Sequence, residues 1–413
     1  MARSILTFLT VMTLSFITVF HAALAETLPR EEANNYGLVQ TEGIVIPDLS
    51  SEKFDPVSPH MTGSVEFARN LRVGWNLGNT FDAYKENPKD VVKDFETWWS
   101  NAKTTRELIH AVRQAGFNVI RIPVSWHDHL VDEKHTIDPD WMARVKEVVD
   151  WAMEEGFYII LNIHHDNNLD YLYPDTAHYD QSEKYITVIW TQIAETFRDY
   201  NDHLIFESMN EPRLVGSPNE WNSDPGIPEV LDAMQCINKL NQKFIDTVRA
   251  SGGLNTSRYL MIPGYAGSWY SLLHDEFELP MDPNLILMGH AYEPYDFALN
   301  RNSPDSSFDL DKDVEKKEYI ANMMHMLYER HIQHGVPVIL DEFGAVYKKD
   351  SDLQARVNYA AYYAAAASAA GIPIVIWDNS NFNKNYEMFT LIDRNKVEWV
   401  YPDIVLALVK NYQ

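Results

Sequence analysis

The sequence predicts an α/β fold, a (β/α)8 TIM barrel forming a single domain. Helical stretches repeatedly close with a glycine, apolar runs rich in β-branched residues follow almost at once, and eight such runs occur in order. Glycine supplies the left-handed residue that ends a helix. Because the runs are continuously apolar and do not alternate, we expect strands buried on both faces, as in a parallel sheet covered by helices. Eight βα units of this size favour a closed barrel.

The apolar runs have recognisable boundaries. Four of them follow a glycine at the end of a helical stretch, at Gly116, Gly156, Gly335 and Gly371. A doubly wound open sheet is the alternative, but no glycine-rich phosphate loop follows the first run. The predicted strands are Leu71–Leu77, Asn118–Val124, Tyr158–His164, Leu204–Met209, Arg258–Ile262, Leu285–His290, Val336–Glu342 and Pro373–Trp377.

Two helix starts are also marked. Thr104 with Glu107 three residues later matches a capping box, in which each side chain bonds a backbone N–H of the first turn. Asp138 followed by Pro139 matches an N-cap with proline at the first helical position. We therefore expect helices to begin at both places.

The first 25 residues have the layout of a cleavable secretory signal. Arg3 precedes a mostly apolar run, Ile5–Phe20, and the small residues Ala23 and Ala25 follow. The run is too short, and contains too many Thr and Ser residues, for a permanent membrane span. We expect cleavage after Ala25 and a secreted protein, either periplasmic or extracellular.

The rest of the chain divides into an arm and a domain. Residues 26–60 are rich in Pro, Ser, Asp and Glu, which predicts an arm or linker, and Ile44–Ile46 is the apolar piece able to dock on the main body. Residues 61–413 contain no low-complexity run and no break in composition. We expect them to form the barrel.

Composition narrows the class of partner. The chain carries 60 acidic against 34 basic residues, a formal net charge of -26, which disfavours nucleic acid and anionic lipid. A neutral partner fits better, and after loss of the signal we expect no membrane association and a monomer. Cys236 is the single cysteine, so no internal disulfide can form, and its helical surroundings predict a buried small hydrophobic residue.

Polar and aromatic residues cluster where the predicted strands end. Active sites of barrels are built from this C-terminal rim. The residues concerned are Asn79, Arg121, Ser125, Trp126, His164, His165, Asp166, Asn210, Glu211, His290, Tyr292, Glu342 and Trp377.

Two glutamates, Glu211 after strand four and Glu342 at the end of strand seven, suggest a specific chemistry. Either one alone could be a structural carboxylate in a salt bridge. Together they lie on different sides of the barrel mouth, from which inward-leaning side chains can meet. Two carboxyl groups about 5 to 5.5 Å apart are what double-displacement glycoside hydrolysis requires, with one attacking the anomeric carbon and the other protonating the leaving oxygen.

Four motifs then carry a resemblance to a known family. They occur in order, one to a strand, over roughly residues 67–401. The chain resembles glycoside hydrolase family 5, and the stretch His290–Ala298 resembles a subfamily rich in endoglucanases active on cellulose, mixed-linkage glucan and xyloglucan. The motifs are Gly74-Trp75-Asn76-Leu77-Gly78-Asn79-Thr80, Ile120-Arg121-Ile122-Pro123-Val124-Ser125-Trp126, Asn210-Glu211-Pro212 and Asp341-Glu342-Phe343-Gly344.

The resemblance implies roles for the catalytic centre. Glu211 matches the family's acid/base, Glu342 its nucleophile, and Asn210 the residue that hydrogen-bonds the sugar 2-hydroxyl. Arg121 and Tyr292 match groups that hold the nucleophile. A cation and a phenol favour the ionised carboxylate, so we expect Glu342 to stay charged. We expect the negative partner to raise the pKa of Glu211 and keep it protonated at rest.

It also implies a substrate-binding wall. His164 and His290 match histidines lining the reacting subsite, with His165 as their neighbour, and Trp377 matches the aromatic floor under the sugar. Alone, each histidine is more often structural. Three further tryptophans near predicted loops are candidates for outer subsites, although core packing explains them equally well. These are Trp126, Trp221 and Trp269.

The expected activity is retaining endo-hydrolysis of a neutral β-1,4-glucan, with xyloglucanase, mannanase or xylanase activity as alternatives on the same scaffold.

We expect no cofactor and no metal. A metal-dependent hydrolase is the rival suggested by His127-Asp128-His129 and His164-His165-Asp166, but no complete ligand set follows on later strands. A non-catalytic carbohydrate-binding barrel would have lost one of the two glutamates, and both are present.

Overall fold

The computed structural model describes residues 29–87 and 89–413. The predicted signal segment and its cleavage site at Ala25 lie outside these residues. Among the helices that are described, none is both long enough and apolar enough to cross a membrane.

Eight parallel strands close into a barrel in chain order, with β1 hydrogen-bonded to both β2 and β8. This confirms the predicted fold class. Every predicted run overlaps a strand, and two strands continue beyond their predicted ends, the fifth to Ser268 and the seventh to Phe343. The strands are β1 Val73–Asn76, β2 Val119–Ile122, β3 Tyr158–Asn162, β4 Leu204–Glu207, β5 Leu260–Ser268, β6 Leu285–His290, β7 Val338–Phe343 and β8 Ile374–Ile376, followed by a small antiparallel pair, β9 Ile392–Asp393 and β10 Glu398–Trp399.

Helices surround the barrel, but the fifth βα unit departs from the pattern. After β5 the chain forms only the 3-10 turn Trp269–Leu273 before it returns as β6. The α-helices are α1 Gly63–Ala68, α2 Arg106–Gln114, α3 Pro139–Glu154, α4 Tyr179–Thr196, α5 Pro228–Ala250, α6 Tyr295–Ala298, α7 Val314–Arg330, α8 Leu353–Ala370 and α9 Pro402–Asn411.

One of the two predicted helix starts is displaced. Asp138 caps α3 as expected, by accepting from the backbone N–H of Asp140. The cap of α2 is Thr105, whose side chain accepts from Leu108, and the prediction of Thr104 was wrong by one residue. The backbone N–H of Thr104 instead donates to the buried carboxylate of Glu96 at 2.7 Å, which anchors the preceding loop.

The interior of the barrel is layered because side chains on a strand alternate between its two faces. The lower layer is apolar and contains Val119, Ile160, Ile205, Met261, Ile286, Met288, Ile339 and Val375, with Phe67 and Leu71 packed against it. Two residues further along the chain, towards the carboxyl ends of five of these strands, the inward positions hold Arg121, Asn162, Glu207, Asp341 and Trp377. Mostly polar side chains therefore lie near the rim, directly above the apolar lower layer.

The segment 29–60 packs along the barrel surface. Ile44 and Ile46 are partly buried against the core, as the sequence suggested, while Val45 between them is exposed. Backbone N–H groups of Val45 and Leu49 donate to side chains of Gln354 and Asn411. The arm is thus tied to α8 and α9. Cys236 is buried in α5.

Candidate active site

Arg121 is the centre of the site. It lies on β2, is fully buried, and uses all five of its N–H donors. Nε and Nη2 donate to the two oxygens of Glu207 on β4, both at 2.7 Å. Nη1 donates to Asn76 at 3.1 Å and to Glu342 at 2.6 Å, and Nη2 also donates to Asn210 at 2.6 Å. The guanidinium of Arg121, on β2, therefore hydrogen-bonds residues of β1, β4 and β7 below the rim.

Glu342 lies at the end of β7 and receives two donors. Arg121 contacts its Oε1, and the hydroxyl of Tyr292 donates to its Oε2 at 3.0 Å. The pairing of β7 with β8 shifts register between Leu340 and Phe343, and such a shift locally re-aims the side chains of a strand. The carboxylate is thereby held from both sides, as the resemblance implied.

Glu211 lies across the mouth and contacts His290. The Nδ1 of His290 is 2.7 Å from Oε1 of Glu211 and 3.5 Å from Oε2 of Glu342. One carboxylate oxygen of Glu211, one of Glu342 and a ring nitrogen of His290 all lie within 4.8 Å of one another. Arg213 Nη1 approaches the second oxygen of Glu211 at 3.4 Å. The two glutamates that the sequence singled out are therefore brought together around one imidazole.

The electrostatics of this group differ from expectation at Glu211. Burial alone would raise the pKa of Glu211, but the hydrogen bond and charge of His290, with help from Arg213, lower it to about 2. Burial disfavours the charge of His290, yet Glu342, Glu211 and Asp341 together raise its pKa to about 9. The proton expected on Glu211 at rest therefore lies on His290.

The pKa of Glu342 is shifted in the opposite direction to that of Glu211. Burial raises its pKa, and His290 and Arg121 oppose this without cancelling it. The contacts from Arg121 and Tyr292 are those expected, but the cost of burying the carboxylate outweighs their effect on its pKa. Protonation of Glu342 should therefore begin at a higher pH than for an exposed glutamate.

Trp377 and His164 line one side of the cavity. Their rings are within 5° of parallel, with centroids 6.0 Å apart. Gly78 makes room for the indole, because a Cβ on that residue would come within 2.6 Å of the Trp377 ring. Burial lowers the pKa of His164 well below its usual value, and Asn162 lies 3.0 Å from its Nδ1. The imidazole is consequently a neutral wall of the site.

His165 continues this wall towards solvent. Its ring meets those of Tyr84 and Trp99 at centroid distances of 5.3 and 5.7 Å. Burial lowers the pKa of His165 to about 4, so it too is neutral near pH 7. Asn79 begins the loop that contributes Tyr84. It has a positive φ of 56°, and its backbone N–H donates to the side-chain carboxylate of Asp82 at 3.0 Å.

The histidine clusters behind the rival metal interpretation are arranged differently from what their spacing suggested. Asp166 accepts from the backbone of Trp126 and His127 and from the hydroxyl of Tyr185, so it acts as a structural anchor. His129 stacks on Trp141 with centroids 3.6 Å apart. Within the described residues, two trios bring possible ligand atoms within 4.8 Å of one another, namely Asp82, His164, His165 and Glu211, His290, Glu342.

The three outer tryptophans separate into two groups. Trp126 and Trp269 are buried and pack in the core. Trp221 is exposed, and the guanidinium of Arg213 lies 4.1 Å from its ring centroid. Since Arg213 also contacts Glu211, Trp221 is the candidate that remains beside the site.

Several residues of the site were missed by sequence reasoning. Glu207 and Asp341 are fully buried carboxylates next to Arg121, with Asp341 Oδ2 at 3.2 Å from its Nε. The signal was available, because each is a charged residue within an apolar strand, two positions after an inward-facing isoleucine. Gly267 was also missed. At φ +61°, a Cβ there would lie 2.8 Å from the Asn210 carbonyl oxygen and 3.1 Å from Cγ of Glu211.

Comparison with known proteins identifies the family. The family model described as cellulase (glycosyl hydrolase family 5) matches residues 82–383. The chain belongs to glycoside hydrolase family 5. Endoglucanase A of Ruminococcus albus is 38% identical over 372 residues, which cover 88% of this chain and 99% of that protein.

Solved structures agree with this assignment. A family 5 lichenase from Caldicellulosiruptor sp. F32 is 46% identical, with a TM-score of 0.85 and coverage of 90% of this chain and 100% of that one. A broad-specificity endoglucanase from Ruminococcus champanellensis, solved with bound cellotriose, is 38% identical with a TM-score of 0.77, covering 86% of this chain and 100% of that one. This member of family 5 is a glycoside hydrolase with endo-β-glucanase activity.

Proposed function

We propose that this protein is a secreted, retaining endo-β-1,4-glucanase in which Glu342 is the nucleophile and Glu211 the acid/base. The observation that carries the proposal is the approach of Glu211 and Glu342 oxygens to within 4.8 Å of each other around His290. Inverting enzymes keep their carboxyl groups about 6.5 to 9.5 Å apart to admit a water, whereas retaining enzymes hold them about 5 to 5.5 Å apart. The short separation supports double displacement.

The contacts of the two carboxylates support their separate roles. Glu342 is held at both oxygens, by Arg121 and Tyr292, and this fixes its orientation for attack on a carbon. Glu211 instead shares a 2.7 Å hydrogen bond with a protonated imidazole, and its side chain keeps some exposure to the mouth. A general acid needs such a proton source and such access to the leaving oxygen.

The first step forms a bond between an oxygen of Glu342 and the anomeric carbon while the glycosidic C–O bond breaks. Glu211 delivers a proton to the departing oxygen, having received it along the hydrogen bond from His290. In the second step a water attacks the glycosyl ester, Glu211 takes up a proton from that water and returns it to His290, and Glu342 leaves as a carboxylate. Asn210 accepts from Arg121 through Oδ1, which leaves its Nδ2 to donate to the sugar 2-hydroxyl.

Neutral β-1,4-linked glucans are the proposed substrates. The net charge of -26 repels polyanions, whereas stacking on aromatic rings such as Trp377 and Trp221 is indifferent to charge. The similarity to a lichenase and to a broad-specificity endoglucanase supports mixed-linkage glucan and carboxymethylcellulose as good substrates. Xyloglucan is a further proposed substrate, and mannan and xylan are the alternatives.

Export rests on the sequence of residues 1–25, which has the order of a secretory signal: basic start, apolar run, small-residue cleavage site. Expression of the full chain in a bacterial host, followed by fractionation and N-terminal sequencing, tests this. A mature protein beginning at Glu26 outside the cytoplasm is expected, and an unprocessed cytoplasmic protein would refute it.

A product profile tests the activity. Purified protein is incubated with barley β-glucan, carboxymethylcellulose, xyloglucan, glucomannan, mannan and xylan, and early samples are taken for viscosity, reducing sugar and oligosaccharide analysis. We expect a rapid fall in viscosity with mixed oligosaccharides from the glucans. Release of glucose alone, or activity confined to mannan or xylan, would refute the substrate assignment. Glu342→Ala is the matched inactive control, and binding without reducing-sugar release would indicate a carbohydrate-binding protein.

A further inference from the structure

Asp341 is a fully buried carboxylate without a hydrogen bond. Its side chain is 0% exposed, and neither of its oxygens has a hydrogen-bond partner among residues 29–87 and 89–413. Buried carboxylates are costly unless they are paired and hydrogen-bonded. The position of Asp341 beside the active site therefore calls for an explanation.

Arg121 does not supply the missing hydrogen bond. Its Nε is 3.2 Å from Oδ2 of Asp341, but the single hydrogen on Nε is directed at Glu207, and its four Nη hydrogens are taken by other acceptors. The guanidinium thus offers Asp341 its charge alone.

His290 is the group that remains. Its Nε2 is also buried and lacks a hydrogen-bond partner within the described part of the chain, and it lies 3.6 Å from Oδ1 of Asp341. Two unsatisfied groups of matching chemistry, one on β6 and one on β7, therefore face each other. Catalytic hydrogen bonds are often long in unliganded enzymes and shorten when substrate binds. A movement of about 0.6 Å would bring this pair into hydrogen-bond range.

We propose that Asp341 is a positioning residue that hydrogen-bonds Nε2 of His290 and so keeps a proton on the opposite nitrogen, Nδ1, facing Glu211 and Glu342. The inference rests on the proposed function, because it assigns His290 the task of supplying the proton of the general acid. Asp341 acts through His290 and does not contact the sugar.

Charge balance supports a proton shared between Asp341 and His290. With every group ionised, the four carboxylates of this cluster would face two buried positive charges and the partly exposed Arg213, which contacts Glu211. A further proton reduces that imbalance, and burial raises the pKa of Asp341 well above its usual value. The groups facing one another from β2, β4, β6, β7 and the loop after β4 are Arg121, Glu207, His290, Asp341, Glu342 and Glu211.

Nδ1 of His290 carries a hydrogen whether the shared proton lies on Asp341 or on His290. If the proton lies on Asp341, its O–H donates to Nε2, and the neutral imidazole must hold its own hydrogen on Nδ1. If the proton lies on His290, both ring nitrogens carry hydrogen. In either case Nδ1 is a donor at 2.7 Å from Glu211.

The test compares Asp341→Ala, Asp341→Asn and the wild type. In Asp341→Ala, kcat should fall at least about tenfold with little change in KM, because general acid catalysis contributes about a hundredfold or more. The loss should be larger for a phenyl than for a dinitrophenyl β-cellobioside, since a poor leaving group needs the acid more. The basic limb of the kcat/KM profile should move to lower pH. Asp341→Asn keeps the shape and a hydrogen-bonding group, so it should recover part of kcat.

Nitrogen-15 NMR of the histidine side chains separates this role from simple packing. In the wild type, Nδ1 of His290, assigned with His290→Gln, should stay protonated from about pH 5 to 8. In Asp341→Ala the ring should exchange between tautomers. Glu207→Gln is the matched control, because Glu207 contacts Arg121 but not His290: it should lower activity and leave Nδ1 protonated. Circular dichroism verifies folding, and Asp341→Leu, which has a similar size and no hydrogen-bonding group, serves if the Ala variant does not fold.

The outcomes are distinct. The role of Asp341 would be overturned if Asp341→Ala, or Asp341→Leu if the Ala variant does not fold, kept the wild-type pH dependence, leaving-group dependence and His290 protonation. A wild-type enzyme that releases no reducing sugar from any β-glucan would overturn the proposed function, while the NMR result would still decide whether Asp341 orients His290.

Discussion

Replacing Arg121 with lysine is the perturbation that most directly tests how the site is held together. The substitution keeps the positive charge but reduces five N–H donors to three. At least two of the five buried hydrogen bonds must therefore be lost, and their acceptors are oxygens of Glu207, Glu342, Asn76 and Asn210. An unsatisfied buried acceptor costs about 1 to 3 kcal/mol. We expect Arg121→Lys to lower the free energy of unfolding by about 2 to 6 kcal/mol.

Equilibrium denaturation in urea, followed by circular dichroism, measures this loss. Arg106→Lys is the matched control, because Arg106 pairs with Glu154 on the surface with both side chains more than half exposed, and we expect a change within about 0.5 kcal/mol. The kcat of Arg121→Lys should also fall, since Glu342 loses a fixed donor. If Arg121→Lys were destabilised by less than about 1 kcal/mol and kept its kcat, positive charge alone would suffice and the hydrogen-bond argument would be wrong.

Further predictions concern the backbone, pH and metals. Gly267→Ala should lower kcat more than tenfold, because its Cβ would press on the backbone beside Glu211, whereas Gly216→Ala has a similar positive φ and open space and should cost only about 1 kcal/mol of strain. Equal activity in the two variants would contradict this. The pKa of His290 is raised, so its contribution to stability is complete below about 6.5 and is lost as pH rises through about 9. Melting temperatures between pH 6 and 10 should fall in the wild type, and His290→Gln should lack that component. The raised pKa of Glu342 predicts an acid limb of kcat/KM above pH 4.5, and a limb below it would refute that direction. EDTA should leave kcat unchanged, and a loss restored by a divalent cation would revive the metal-dependent hydrolase.

The barrel could be predicted because its signals are local. Continuous apolar runs, four of them directly after a helix-ending glycine, marked all eight strands, and the parallel topology followed from burial on both faces. The errors came from tertiary contacts. Thr104 has the glutamate three residues later that a capping box needs, and Thr105 does not. Glu96 nevertheless binds the backbone of Thr104, and Thr105 caps α2.

The site was predictable in its residues and less so in its electrostatics. Glu342, Arg121 and Tyr292 were each placed at or just after a strand end, and the structure joins them by hydrogen bonds. Glu211 was placed there too, and its hydrogen bond is to His290. The direction of the pKa of Glu211 was wrong, because it depends on which atom of His290 approaches it and how closely. Such distances arise from the closing of the barrel and have no counterpart in a motif.

Two buried carboxylates lie where the alternation of side chains along a strand places them. Glu207 follows Ile205, and Asp341 follows Ile339, each by the two residues that separate neighbours on one face of a strand. Both could have been predicted to point into the barrel. Their joint contact with Arg121 could not, since it depends on the register between β2, β4 and β7.

Covalent trapping of the nucleophile tests the central claim most directly. The probe is a 2-deoxy-2-fluoro β-cellobioside with a dinitrophenolate leaving group. The good leaving group should allow the glycosyl ester on the enzyme to form rapidly. This ester should hydrolyse slowly, because fluorine removes the 2-hydroxyl contact that stabilises both transition states. Mass spectrometry of the intact protein should show one added fluorocellobiosyl group, and the labelled peptide should contain Glu342. Labelling of Glu211 would reverse the two roles, and turnover of β-glucan to products of inverted configuration without any trapped ester would contradict double displacement.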